Sequence, residues 1–460
     1  MSKAEIHYKD IGDYFSREEK LKIISENRSI LNPAIKMIHV KPNKHGDWIN
    51  KRNSKFDEFI PLEPEQKFVN KTNSFFVAQS LGTATNRDAW VYNFSEKELK
   101  ININKTIAHY NEQLALYMSG KIKEPIYDST KGNWTRDWLN QLKRKIKFSE
   151  NKNEYRISLY RPFTKLNAYF DDDLNQERYQ LPKILPNNNS NNLLICVHGL
   201  GGKKDFSTII TDCVPDLNFL EAGAQCFPLY WYEKKDKVQC GLFEQVEGEY
   251  IRRDAISDFI LDQAKTRYGP KVTKEDIFYY VYSMLHSPDY RKTFANDLKK
   301  MLPRLPLVEK TAGFWSFSEA GRKLADLHLN YEEQTPPKEI LINGKPISRT
   351  PFTENQLVVD TMKFPAKGQT DTIIYNSCIT ISNIPAKAYE YVINGKSAIE
   401  WVMERYAVTI HKESGIKNDP NDWAREHENP QYILDLLLSV ITVSIKTEDI
   451  VAGLPKVEWE

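Results

Sequence analysis

Two helix-periodic apolar stripes that follow one another between Phe278 and Glu332 constrain this chain more than any other feature. Tyr290, Phe294, Leu298 and Leu302 recur at every fourth residue and so line one face of a helix, which Pro303 ends. Arg291, Lys292, Lys299 and Lys300 fall largely off that stripe. A second helix follows, with Phe317, Ala320, Leu324 and Leu327 on one side and Arg322 and Lys323 on another. An amphipathic helix is stable only when its apolar stripe is covered, so both must pack on a core supplied by the rest of the chain.

At 460 residues there is material for about two or three domains with sizeable cores. Apolar residues make up 40% and charged residues 27%, normal for a globular protein, with aromatics high at 12%. No window approaches the roughly 18 apolar residues of a membrane span, and Met1-Ser-Lys-Ala-Glu-Ile-His-Tyr8 lacks the apolar core of a signal peptide. Cys196, Cys213, Cys226, Cys240 and Cys378 form no C-x-x-C pair. They fit reduced thiols in a cytoplasmic protein better than a disulfide framework or a zinc site. With a net charge of +2 and a pI near 8.0, any nucleic-acid surface has to be a local patch. The densest candidate is Lys143-Arg144-Lys145-Ile146-Lys147, followed by Lys152 and Arg156; a solvated helix face is the plain alternative.

Along the chain, residues 1 to 45 are charged and hold one short helical pattern, Arg17 to Ile24. A first unit runs from 46 to 186 and includes the strand-like Tyr155 to Tyr160. The run Pro186-Asn-Asn-Asn-Ser-Asn-Asn192 has the composition of an exposed loop and predicts a domain boundary. A second unit, 193 to 460, opens on the apolar run Leu193 to Val197, which reads as a buried strand. It continues with Glu339 to Ile347, whose Asn343-Gly344 centre predicts a hairpin, and strands at Asp371 to Tyr375 and Cys378 to Ser382. Helices at Ala398 to Tyr406 and Tyr432 to Ile441 close it, and no repeat is visible.

The block Phe278-Tyr-Tyr-Val-Tyr-Ser-Met-Leu-His-Ser-Pro-Asp-Tyr-Arg291 and its continuation to Glu332 closely resemble the C-terminal specificity region of Type ISP restriction–modification enzymes. Those single-chain bacterial enzymes join a nuclease, a helicase-like ATPase, an adenine methyltransferase and a DNA target-recognition part. Thr85-Asn-Arg-Asp-Ala-Trp90, Leu159-Tyr-Arg-Pro-Phe163, Ile384 to Tyr391, Gly395 to Trp401 and Ser414 to Pro420 are similar to the same family. Tyr8-Lys-Asp-Ile-Gly-Asp-Tyr14 resembles a stretch that trails the methyltransferase, which implies a connector over residues 1–45. The resemblance implies an α+β architecture: a two-lobed mixed α/β region with amphipathic helices on small mixed sheets, its lobes at 46–186 and 193–460. It also implies sequence-specific duplex DNA recognition by a monomer in phage defence, carried on a separate polypeptide or a fragment. The partners are then double-stranded DNA and the methyltransferase, helicase and nuclease portions of the system. S-adenosylmethionine, ATP and magnesium belong to those portions, and no cofactor is expected here.

Motifs for catalysis are weak. Val197-His-Gly-Leu-Gly-Gly202 looks like the oxyanion loop of α/β-hydrolases, which would use His198, but no G-x-S-x-G elbow accompanies it. Pro215-Asp216 with Glu233-Lys-Lys235 fits the loose P-D…E-x-K nuclease pattern, giving Asp216, Glu233 and Lys235 as an alternative site. Asn429-Pro-Gln-Tyr432 lacks the second proline of the N-P-P-Y methyltransferase loop and reads as a helix start. There is no P-loop and no paired Cys/His spacing; His286 reads as a packed residue.

What remains is binding chemistry. Reading DNA needs Arg, Lys, Asn or Gln on base edges and cations on phosphates. The candidates are Asn86, Arg87, Lys143, Arg144, Lys145, Arg161, Lys165, Lys203 and Lys204. Arg87 and Arg161 lie beside aromatics and read equally as buried arginines that fix backbone. A third reading is a subunit that docks on a methyltransferase and binds DNA only with it.

Overall fold

The structure is a computed structural model that describes residues 4–12, 15–49, 51–235, 245–347, 351–457 and 459, with backbone alone at 245 and 246. The chain divides into compact units at 1–53 and 54–460.

In the first unit Ile6–Tyr8 pairs antiparallel with Ile38–Val40, and a helix spans Arg17–Asn27. The helix starts where a start is encoded: Ser16 Oγ accepts the Glu19 N–H (3.2 Å) and the Glu19 carboxylate accepts the Ser16 N–H (2.7 Å). None of the unit's described residues is buried. Leu21, Ile24, Ile30, Leu31 and Ile38 all stand exposed.

The second unit is built around one sheet with two covered faces. Ser80–Leu81, Gln225–Pro228, Leu194–Val197 and Thr208–Thr211 pair antiparallel in that order. Side chains alternate across a strand, so Leu194, Cys196, Ile209 and Cys226 enter one core while Ile195, Val197, Ile210 and Phe227 enter the other. Burial on both faces is why 193–197 is an unbroken apolar run. A second sheet orders Val214–Pro215, Tyr155–Arg161, Thr164–Tyr169 and Tyr92–Asn93. In these two sheets, strands from either side of the Asn-rich segment lie together, so the expected lobes share sheets. The segment itself is a braced loop: buried Asn192 donates from Nδ2 to Ile184 O (2.9 Å) and Tyr230 O (2.7 Å).

Tyr290, Phe294, Leu298 and Leu302 share one core with Phe317 and Leu324 of the second stripe, while Leu327 enters the other. Helices Lys274–Met284 and Thr311–Leu329 cross so closely that a Cβ built on Gly321 would lie 1.8 Å from Tyr279 O. Small hydroxyls close the crossing, Ser283 Oγ donating to Phe317 O (2.6 Å) and Ser318 Oγ to Asp276 O (2.9 Å). Tyr290, Phe294, Leu298 and Leu302 are all buried, but not on one helix: Tyr290 lies on Pro288–Thr293, Leu298 on Ala295–Leu298, Phe294 at the break between them and Leu302 beyond both. Tyr290 donates to Arg304 O (2.9 Å) while Phe294 turns onto Phe56 and Trp459. One straight stripe does not meet both demands.

The Asn343-Gly344 hairpin forms between Leu341–Ile342 and Lys345–Pro346, with both central φ angles positive, at 52° and 73°. The last helix runs from Tyr432 to Ala452, eleven residues beyond the expected end at Ile441. Its buried hydroxyls are satisfied within the helix, Ser444 and Thr447 donating to Val440 O and Val443 O (2.8 Å each). Cys196, Cys213, Cys226 and Cys378 are free thiols, and Cys240 lies outside the described residues. Among the described residues no helix is long and apolar enough to cross a membrane.

Candidate nucleic-acid interface

Two of the family-like segments, far apart in sequence, meet at Asp88. Tyr160 Oη donates to Asp88 (3.1 Å), and the Arg161 guanidinium lies 3.9 Å from the same carboxylate. Arg161 also donates to Asp216 (2.7 Å) and stacks on Tyr160. Asp216 further accepts from Tyr92 Oη (3.2 Å) and the Asn218 N–H (2.8 Å). Burial pushes its carboxyl up to about 7, against the pull of Arg161. Asp216 is therefore the buried counter-ion of Arg161. Glu233 pairs with Arg253 on a different sheet, which also holds the Lys235 backbone through Glu249 O. The residues of the nuclease pattern are not brought together as a metal site; among the described residues no cluster of three or more ligating side chains forms. His198 is buried edge-on against Phe206, and burial pushes its imidazole pKa down.

Arg87 is fully buried and holds a neighbouring helix, so it is not available to DNA. Its guanidinium donates to Asn133 O (3.0 Å), Thr135 Oγ1 (2.7 Å), Asp137 (3.1 Å) and Leu174 O (3.3 Å), and stacks 4.1 Å from the Trp138 ring centroid. Lys165 is likewise committed, to Glu332 (2.7 Å). Lys204 donates to Asn394 O (2.8 Å). A buried fork with matched acceptors fixes backbone, and freeing it would leave several groups unpaired.

The helix that Arg87 holds, Arg136–Lys143, carries the exposed charge. Trp138 and Leu142 bury one face against Tyr110, Trp134 and Phe148. Arg136, Asn140 and Lys143, at i, i+4 and i+7, form the opposite face, exposed over about 10 Å of helix. Arg144, Lys145 and Lys147 extend it. None of these five cations has an ion-pair partner among the described residues. Asn86, exposed at a positive φ of 53°, stands at the other end of the helix, where Asn133 Nδ2 donates to its carbonyl (2.8 Å). Its side chain bonds Gln176.

Lys145 occupies a costly place. The helix ends with the Lys145 N–H on Leu142 O and the Ile146 N–H on Gln141 O (3.0 Å each), and Lys145 takes φ 58°. Glycine usually fills this left-handed position because it has no Cβ. Arg136 and Asn140 were not legible as candidates: they lie between apolar residues in sequence, and only the helix places them beside Lys143.

Lys203 is exposed on the loop after the Leu194–Val197 strand and has no ion-pair partner among the described residues. The loop around it is already occupied by an anion, since Glu221 accepts the Lys204 N–H (2.7 Å). That argues against the loop's amides as a phosphate cradle.

The Type ISP C-terminal specificity domain model matches residues 74–436. The chain is similar to the ATP-dependent Type ISP restriction–modification enzyme LlaBIII bound to DNA, with a TM-score of 0.84 and 37% identity over 99% of this chain and 28% of that chain. It is similar to a nuclease-deletion mutant of the Type ISP enzyme LlaGI in complex with a DNA substrate mimic, with a TM-score of 0.82 and 38% identity over 99% and 39%. The DrdV–DNA complex gives 0.78 and 30% over 98% and 43%. No curated protein matches. This chain thus spans less than half the length of each of these three chains. Thr85 to Trp90 and Leu159 to Phe163 meet around Asp88 and, with the Phe278 to Glu332 block, fall within the matched span, and the chain belongs to the Type ISP C-terminal specificity domain family.

Proposed function

We propose that this chain reads a short duplex DNA sequence for a Type ISP-like restriction–modification enzyme. It presents the target to an adenine methyltransferase and an ATP-driven nuclease that lie outside these 460 residues. The observation that carries the reading is similarity over 99% of the chain to two Type ISP enzymes captured on DNA or a DNA mimic. The exposed, unpaired cations at Arg136 and Lys143 to Lys147 support it, because phosphate neutralisation supplies most of non-specific affinity. In this reading S-adenosylmethionine, ATP and magnesium act on the other portions, and the chain works in the cytoplasm as one copy per enzyme.

Selection from a randomised duplex library at low salt tests it. Enrichment of one short asymmetric site is expected, with affinity falling steeply as salt rises. A pool that stays random sinks the proposal.

A second reading, in which DNA is engaged only together with the rest of the enzyme, is favoured by residues 1–53. A unit with no buried residue among those described, and with Leu21, Ile24, Ile30, Leu31 and Ile38 exposed, has apolar surface to cover. Co-purification of chains 1–460 and 54–460 with the methyltransferase-bearing polypeptide separates the readings. Loss of association on deleting 1–53, with a DNA shift seen only in the complex, supports the second.

A further inference from the structure

We propose, resting on the DNA-reading function above, that Leu200 is an apolar wedge that enters one base step of the bound duplex, with Lys203 on the adjoining phosphates. A single exposed leucine is ordinary on a protein surface. The way this one is held is not. Leu200, 52% exposed, sits at the tip of the loop Val197-His-Gly-Leu-Gly-Gly-Lys-Lys204, whose glycines catalysis did not explain. A Cβ on Gly199 would lie 1.9 Å from Ala222 O, and Gly201 has φ +81°, so the backbone itself requires glycine on both sides of the leucine.

Four bonds pin the loop. The Gly199 N–H donates to Glu221 O (2.9 Å) and the Gly201 N–H to Lys299 O (3.1 Å). The Lys204 N–H donates to Glu221 Oε2 (2.7 Å), and its ammonium to Asn394 O (2.8 Å). A floppy loop would lose conformational entropy on ordering against DNA, whereas this one is ordered when the protein folds.

Minor-groove proteins insert leucine among other apolar wedges, unstacking the step it enters, and flank it with cations. The flanks here fit. Lys203 is exposed and unpaired among the described residues, and Lys299, which supplies a carbonyl to the loop, holds its ammonium in an exposed 3.6 Å pair with Asp205. Exposed pairs of that kind are worth little and are readily exchanged for phosphate.

Because Leu200 is exposed, its substitution leaves the fold intact. The test uses the full chain and the duplex recovered by selection, with 2-aminopurine placed at successive positions. Wild-type protein is expected to raise fluorescence at one step. Leu200→Ala abolishes the rise and weakens binding about tenfold, while Lys203→Ala keeps the rise and lowers the salt slope by about 1. A Leu200→Ala protein with wild-type affinity and fluorescence overturns the wedge, as does tight wild-type binding with no unstacking at any step. If wild-type chain binds no duplex, the DNA-reading function itself falls and the wedge with it.

Discussion

Replacing Lys145 by glycine should make the protein more stable and a poorer DNA binder at once. Lys145 holds φ 58° at the end of the Arg136–Lys143 helix, with its N–H and that of Ile146 closing the last turn. A residue with a Cβ in this conformation costs about 1–2 kcal/mol, and glycine gives back part of the difference through its freer unfolded chain. The net expectation for Lys145→Gly is a gain of about 1 kcal/mol. The Lys145 side chain is exposed and has no ion-pair partner among the described residues, so nothing of comparable size opposes that gain. On DNA, one phosphate contact is lost and the slope of log affinity against log salt falls by about 0.9. Lys145→Ala separates the effects, since it removes the charge and keeps the strained backbone: the same loss of binding, with stability unchanged within about 0.5 kcal/mol. Urea unfolding followed by circular dichroism, with a salt titration of duplex binding, reads both quantities. Lys145→Gly that binds as wild type refutes a DNA role for this position, and Lys145→Gly that is less stable refutes the strain.

The triple Lys143→Ala, Arg144→Ala, Lys145→Ala protein should lose about 2–3 from the salt slope while selecting the same DNA sequence; altered selection would make these residues base readers. Gly321→Ala forces helices apart that leave a Cβ only 1.8 Å from Tyr279 O and strains two interhelical hydroxyl bonds. It should cost about 2–4 kcal/mol of unfolding free energy after the roughly 1 kcal/mol helix-propensity gain, whereas Gly313→Ala in the same helix meets no backbone and should be neutral or stabilising. Burial, with Arg291 adding to it, pushes the His328 imidazole down to about 3, against 6.5 in the unfolded chain. Below pH 6.5 the unfolded chain therefore binds a proton that the folded one refuses. Stability falls as pH drops from about 6.5 towards 3, by about 2 kcal/mol at pH 5 from this residue, and a flat stability profile from pH 7 to 5 would contradict it.

Arg87 and Lys145 show where sequence reading reached and where it stopped. Both are basic residues in or near family-like segments, and nothing in the one-dimensional pattern ranks them. Packing does: Arg87 has five acceptor atoms and a tryptophan face within reach, so it is consumed as a brace, while Lys145 is left on a helix end with no ion-pair partner among the described residues. Lys165 and Lys204 were candidates on the same footing and are spent on Glu332 and Asn394.

By itself the sequence determined the local material: the buried apolar strand at 194–197, the Asn-Gly hairpin, the amphipathic helix that carries Phe317 to Leu327, and family membership through blocks spread along the chain. These follow from short-range periodicity and turn chemistry, which residues near in sequence settle among themselves. Only the tertiary structure decided that strands on both sides of the Asn-rich loop share sheets, that Asp216 answers Arg161, and that Arg136 and Asn140 stand beside Lys143. Those facts depend on which distant groups meet, and burial then decides which charges must pair and which remain for a partner.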